Sequence, residues 1–217
     1  LHRNYHVQAL ENALDMLEMR RKLTCDEVWN EITTQGLSFA TLPGTAELHA
    51  ASWQNNDYLG VDKHGDVVAY ERTGAVNCDR LLEKFPLERF REWEKYRFEA
   101  RAMVLDTLSR RTGRLVCHVN VANYHGFGSE HRKILDYARE FTAWGNSYSV
   151  PKSETGVYII GVNPVGVRII NMAKAAFFTE EQKRLLHIIS SEPFRQSNDF
   201  AERFYRTAMP MDVGGEL

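Results

Sequence analysis

Two short stretches constrain the fold of this chain more than anything else in it. In "RLVCHVNV" (Arg114–Val121), Leu115, Cys117, Val119 and Val121 alternate with Val116, His118 and Asn120, so both faces of a strand here are at least half apolar. "VYIIGVN" (Val157–Asn163) is also apolar on both faces. Such strands are stable when covered from both sides, as in a parallel sheet flanked by helices. "VVAYER" (Val67–Arg72), after the turn "DKHGD", alternates as a further strand.

Helical patterns stand between these strands. Pro86 opens a helix to about Thr112, stopped by Gly113, with Phe90, Trp93, Arg97, Ala100, Val104 and Leu108 along one face. Ser129 is placed to cap a second helix that turns Ile134, Leu135, Ala138 and Phe141 inward. After the last strand, Val165–Phe178 reads as a helix with one narrow polar stripe of Arg168, Asn171 and Lys174. Thr179 then starts another helix, with Gln182 completing a capping box before Leu185, Leu186, Ile188 and Ile189. Strand, helix, strand, helix, strand, helix predicts an α/β fold, mainly a parallel sheet covered by helices. Ahead of it, Asn4–Thr34 carries Leu10, Leu14, Leu17, Val28 and Ile32 at helical spacing and reads as two short helices, followed by the polar linker "TTQGLSFATLPGT". The expected division is an N-terminal helical segment, 1–50, and a main domain, 51–217.

Composition excludes several classes of function. Lys+Arg 27 against Asp+Glu 29 leaves a formal charge of −2, so there is no global basic field to hold nucleic acid. Cys25, Cys78 and Cys117 are odd in number and far apart, which fits a reducing compartment better than a disulfide framework or thiolate zinc site. No apolar run reaches membrane-spanning length, and neither a signal-peptide core nor an N-x-[ST] sequon occurs. The first residue is Leu, as in a piece of a longer chain.

The motifs of catalysis are incomplete. No P-loop is present, and "GFGSEH" (Gly126–His131) has His131 where a dinucleotide fingerprint needs its third glycine. It also fails as a nucleophile elbow. His118, His125 and His131 lack metal-ligand spacing. The carboxylates of "LERFREWEKYRFEAR" interleave with Lys and Arg as on a solvated helix face. The expectation is therefore no enzyme, no metal and no resident cofactor.

What remains distinctive is the helix at Val165–Phe178. Pattern alone allows it to be wedged between the sheet and another helix. It equally allows Val167, Ile170, Ala173 and Phe177 to face a hydrophobic ligand while Ile169, Met172 and Ala176 face protein. Phe177 and Phe178 stand at the corner between two helices, where exposed aromatics suit insertion into a membrane surface.

The ordered series "DKHGDVVAYERTGAVN", "LVCHVNV", "VYIIGVNP", "IINMAK", "FFTEEQKRLLHI" and "MPMDVGGEL" resembles the CRAL-TRIO lipid-binding domain, over about Trp53–Leu217. That resemblance implies a deep hydrophobic pocket closed by a gating helix, here Val165 to about Leu186, and a small helical lobe ahead of the domain. It implies a ligand-binding set of Tyr58, Leu115, Cys117, Val119, Tyr158, Ile160, Val167, Ile170, Ala173, Phe177 and Leu185. Phosphatidylinositol-binding members carry a Glu that falls here near Ser153 or Glu154, and a Lys replaced by Leu185, or by Arg184 if the register slips by one. Leu115 and Cys117 stand where choline-lipid binders supply hydroxyls. These departures point to an isoprenoid, sterol-like, fatty or atypical phospholipid ligand. The implied function is a soluble, cytoplasmic, peripherally membrane-associated carrier exchanging one lipid at a transient membrane surface. The alternative is a membrane-recruitment or protein-interaction module of a larger regulator, with protein partners engaged through flanking domains.

Overall fold

The structure, a computed structural model, describes residues 2–140, 154–189, 198–210 and 215. Three helices open the chain: α1 (His2–Lys22), α2 (Cys25–Gln35) and α3 (Thr45–Ala50). Strands β1 (Asn55–Val61) and β2 (Val67–Glu71) precede α4 (Cys78–Lys84) and the long α5 (Leu87–Thr112). After β3 (His118–Asn123), a 3-10 turn at Ser129–Ile134 leads into α6, described over 135–140. There follow β4 (Glu154–Ile160), α7 (Pro164–Phe177), α8 (Glu180–Leu185), β5 (Leu186–Ile189) and α9 (Asn198–Arg203). The sheet order is β1-β2-β3-β4-β5, with β1 antiparallel to β2 and every other pair parallel. Helices between successive parallel strands are what the alternating pattern requires.

β1 and β5 depart from the sequence-based expectation. β1, "NNDYLGV", has no apolar alternation; pairing to β2 holds it, with a bulge between Asn56 and Gly60. The capping box at Thr179 is present, with Gln182 N donating to Thr179 Oγ1 at 3.3 Å and Thr179 N to Gln182 Oε1 at 2.9 Å. The helix it starts stops at Leu185, and Leu186–Ile189 pairs with Val157–Ile160 instead. A four-residue apolar run carries no period of its own, and the open edge of β4 decides it. Ser129 makes no cap: the turn enters from Gly128, whose N donates to His131 Nδ1 at 3.1 Å. Tyr137 is buried in place of Ala138, and Phe141 lies outside the described residues.

Alternation along the strands sorts the sheet into two faces. Val68, Tyr70, Val119, Val121, Tyr158 and Ile160 point to one, where Phe200 of α9, Phe204 just beyond it and Met209 cover them. The opposite face carries Val67, Ala69 and Glu71 of β2, His118, Asn120 and Ala122 of β3, and Val157 and Ile159 of β4. α5 covers the β2 side of it, packing Leu105 with Val67 and Val116, and α7 covers the β4–β5 side. A second core of Leu48, Trp53, Leu81, Phe85, Phe90, Trp93 and Tyr137 joins α3, α4, α6 and the start of α5. α2 seats Val28 and Ile32 beside Ala100 of α5, and Arg20 of α1 forks onto the buried Glu99 at 2.7 and 3.1 Å.

Candidate functional site

The seat of α7 is built from its ends. Gly161, at φ +70, turns the chain out of β4 in a conformation that side chains disfavour. Asn163 caps the helix by accepting from Gly166 N at 2.8 Å, and its Nδ2 donates to Phe127 O at 2.7 Å. Gly166 permits close approach: a Cβ there would stand 2.6 Å from Val162 Cγ2 and 3.2 Å from Phe127 Cδ1. Beyond this first turn the contact thins. Ile169 and Ile170 are buried and Val167, Ala173 and Phe177 half-buried, while Val165, Ala176 and Met172, the last 62% exposed, face outward. Met172 and Ala176, expected to face protein, therefore do not, because no element lies over that side among the described residues. Phe177 and Phe178 are both half-buried at the corner before α8.

The residues implied as a single ligand-binding set are divided by the sheet. Val167 and Ile170 pack with Ala122, Ile159 and Leu186 on one face. Val119, Tyr158 and Ile160 point to the other, where Tyr158 meets Phe204 edge-on at 5.2 Å. The strand residues facing α7 are thus one position out of phase with those expected, and a one-residue shift exchanges the faces. Cys117 is buried, its N donating to Asp66 Oδ1 at 3.2 Å. Leu115 precedes β3 and is 67% exposed, Tyr58 on β1 is 45% exposed, and Leu185 ends α8 half-buried. Glu154 begins β4, and Ser153 lies outside the described residues.

Beside the α7 seat, on the same sheet face, lies a buried charged cluster that includes Glu94, a carboxylate the interleaved charge pattern assigned to solvent. Glu94, Arg97 and Arg101 of α5, the carboxylate of Asp57 on β1 and the ring of His118 are all buried. Arg97 pairs with Glu94 at 3.1 Å and Asp57 at 3.6 Å. Arg101 donates through Nη2 to Asp57, and its Nη1 lies 3.1 Å from His118 Nε2. Burial pushes the Asp57 carboxyl up, but Arg101 and Arg97 outweigh it and hold the group below its usual range. Burial raises Glu94 to about 7 against the pull of Arg97 and Arg101, and raises Glu71 at the end of β2. The signal for this cluster was present: Arg97 lies on the predicted inward face of α5, and a buried cation requires partners.

Two further features complete the region. A cleft of about 80 Å³ lies at the C-terminal ends of β2 and β3, lined by Arg72, Ala75, Asn123 and His125. His125 is exposed and His131 buried, and among the described residues no three His, Cys, Asp or Glu side chains group as metal ligands.

No family model and no curated protein matches the chain. Among solved structures, it is similar to the crystal structure of Sfh5, with a TM-score of 0.60 over 85% of this chain. The fold is Sec14-like, the CRAL-TRIO fold. Sequence identity to Sfh5 is 15%, and the chain spans 61% of that protein's length. The mostly parallel five-stranded sheet, its helical cover and the helical part ahead of it are the Sec14-like features. No described helix is long and apolar enough to cross a membrane.

Proposed function

We propose that the chain binds one lipid or other hydrophobic molecule beneath α7 and carries it between membranes, with α7 as the gate. One observation carries this reading: an apolar helix lies over an apolar sheet face, anchored closely through its first turn and lightly beyond it. Helices that serve only as cover usually bury a broad apolar stripe, whereas this one leaves Val165 and Met172 outside. The Sec14-like fold supports lipid binding at the general level.

The gate has an energetic reason. At ~0.8 kcal/mol per buried CH₂, a chain of about sixteen carbons contributes roughly 13 kcal/mol, so escape through water is very slow. Swinging α7 outward at a membrane lets the chain cross without becoming hydrated, and the outward Val165, Met172 and the Phe177–Phe178 corner suit that contact. Native mass spectrometry with organic extraction, followed by transfer between donor and acceptor vesicles, tests the reading. One co-purifying lipid near one-to-one and measurable transfer support it; a protein that takes up nothing from a mixed lipid extract overturns it. A second reading, an interaction module of a larger protein, draws on α1, where Val7, Leu10, Leu14 and Leu17 all face outward. It predicts bound lipid without transfer.

A further inference from the structure

α1 turns its largest apolar side chains away from the body of the protein. Ala13, Met16, Met19 and Arg20 are half-buried, and Arg20 fastens the helix to Glu99. Val7, Leu10, Leu14 and Leu17 face outward, each between 56 and 61% exposed. They are spaced by three, four and three residues, which is the narrow a and d seam of a coiled coil rather than the broad stripe of a helix lying on a domain. Val7 and Leu14 take a, Leu10 and Leu17 take d, and Arg21 at the next a ends the seam after two heptads.

The flanks of the seam decide what covers it. Glu11 and Glu18, at the two e positions, and Asp15 beyond them are all exposed. An acidic border of this kind is repelled by the anionic surface of a membrane. A second α1 fits better. When two such helices run parallel, a meets a, d meets d and each g faces an e, so Glu18 of one copy lies over Ala13 of the other and no like charges touch there. Run antiparallel, e faces e, and Glu11 meets a carboxylate of its own copy. Two heptads are too short to hold free peptides together, because the helices must first be nucleated, but α1 is already formed and anchored through Arg20. The area sets the strength. The outward parts of the four side chains amount to roughly 400 Å² per copy, about half of what each partner buries in a standard stable interface. Such a pair assembles and dissociates with concentration.

We infer that α1 is a self-association surface, on which two copies of this chain pair in parallel through Val7, Leu10, Leu14 and Leu17. Neither the gate nor the bound lipid enters this inference, so it stands apart from the carrier reading.

Sedimentation velocity on the whole chain from about 5 to about 500 μM tests it. The mass is expected to climb from 25.0 kDa toward twice that value. Leu14→Glu puts a carboxylate into the seam of each copy and is expected to raise the dissociation constant by at least about a hundredfold. Its melting temperature should not change, because the side chain stands outside the core. Leu10→Cys reads the direction of the pair. Cys25, Cys78 and Cys117 are buried, and in a parallel pair the two substituted positions lie side by side, so a mild oxidant should yield a disulfide-linked dimer. A mass that stays at 25.0 kDa throughout overturns the inference, and so does a dimer that Leu14→Glu leaves intact. Self-association that Leu14→Glu abolishes but Leu10→Cys does not cross-link overturns the parallel arrangement. For a chain that stays monomeric, flotation with mixed phosphatidylcholine and phosphatidylserine vesicles reassigns the seam. Binding lost in Leu14→Glu gives it to a membrane, and no binding gives it to a helix of another protein.

Discussion

At the scale of single residues, the most consequential is Glu94, a carboxylate one turn from Arg97 in a charge pattern that looked like a solvated helix face. Its folded-state value of about 7 stands above its ordinary 4.5, so the folded protein holds the proton more tightly than the unfolded chain. The stability this contributes is complete below about pH 4.5 and is lost as pH rises through 7, a change of about 3 kcal/mol at most. Asp57, held low, acts in the opposite sense and only in acid. Glu94→Gln should therefore flatten the fall of Tm between pH 5 and 8; two variants with parallel pH profiles would show that Glu94 does not titrate in this window. A second residue is Gly74 of "TGAVN", where a Cβ would run into the backbone carbonyl of His125. Gly74→Ala should destabilise by at least about 2 kcal/mol in denaturant unfolding. The two differ in how far the sequence exposed them. Gly74 sits in a recognisable "GAVN" signature, whereas Glu94 sits in a charge pattern that also describes a solvent-facing helix. Only the depth of α5 against β1 and β2 separates the two cases, and depth is a tertiary fact.

At the scale of elements, long periodic segments were legible and short ones were not. α5 was bounded correctly by Pro86 and Gly113, and α7, expected over Val165–Phe178, runs from Pro164 to Phe177, because caps and breakers leave local marks. β5 and β1 left none, since both are edge strands whose existence depends on a neighbour's unpaired backbone. The phase of the strands under α7 was hidden for a related reason. When both faces of a strand are apolar, alternation cannot say which face meets which helix, and the implied set mixed Val119, Tyr158 and Ile160 with residues on the far side of the sheet. On the carrier reading proposed above, the element that governs opening is α7, and its first turn is the tightest part. Gly166→Leu forces a side chain between Val162 and Phe127 and should lift that turn, raising the rate of spontaneous lipid loss severalfold in a dilution assay. Unchanged loss would mean that the gate pivots elsewhere. On the other face, Arg203 ties α9 to the β1–β2 turn by donating to Asp62 Oδ2 at 2.8 Å and to β4 by donating to Thr155 O at 3.1 Å. Arg203→Ala should lower stability by about 2–3 kcal/mol in denaturant unfolding, because the buried Asp62 carboxylate and the half-buried Thr155 carbonyl lose a charged donor.

At the scale of the whole molecule, the Sec14-like sheet presents two faces with different tasks. The α9 face is a closed core of aromatic and aliphatic side chains, and it supplies rigidity. The α5–α7 face is divided between charge and hydrocarbon, and an amphiphile can span that boundary. A carrier must also hold its ligand in water and release it at a membrane, so the surface that touches the membrane should be separable from the surface that touches the ligand. α7 has that separation built into its register: Gly166, Ile169 and Ile170 point inward, while Val165, Met172 and Ala176 point outward. Met172→Asp should therefore leave the amount of bound lipid unchanged while slowing transfer between vesicles by tenfold or more, because one charge must be desolvated each time α7 enters the interface. The measurement is the ratio of transfer rate to retained lipid in matched preparations. A proportionate loss of both would place Met172 in ligand binding, and transfer at the original rate would move the membrane contact off α7 altogether.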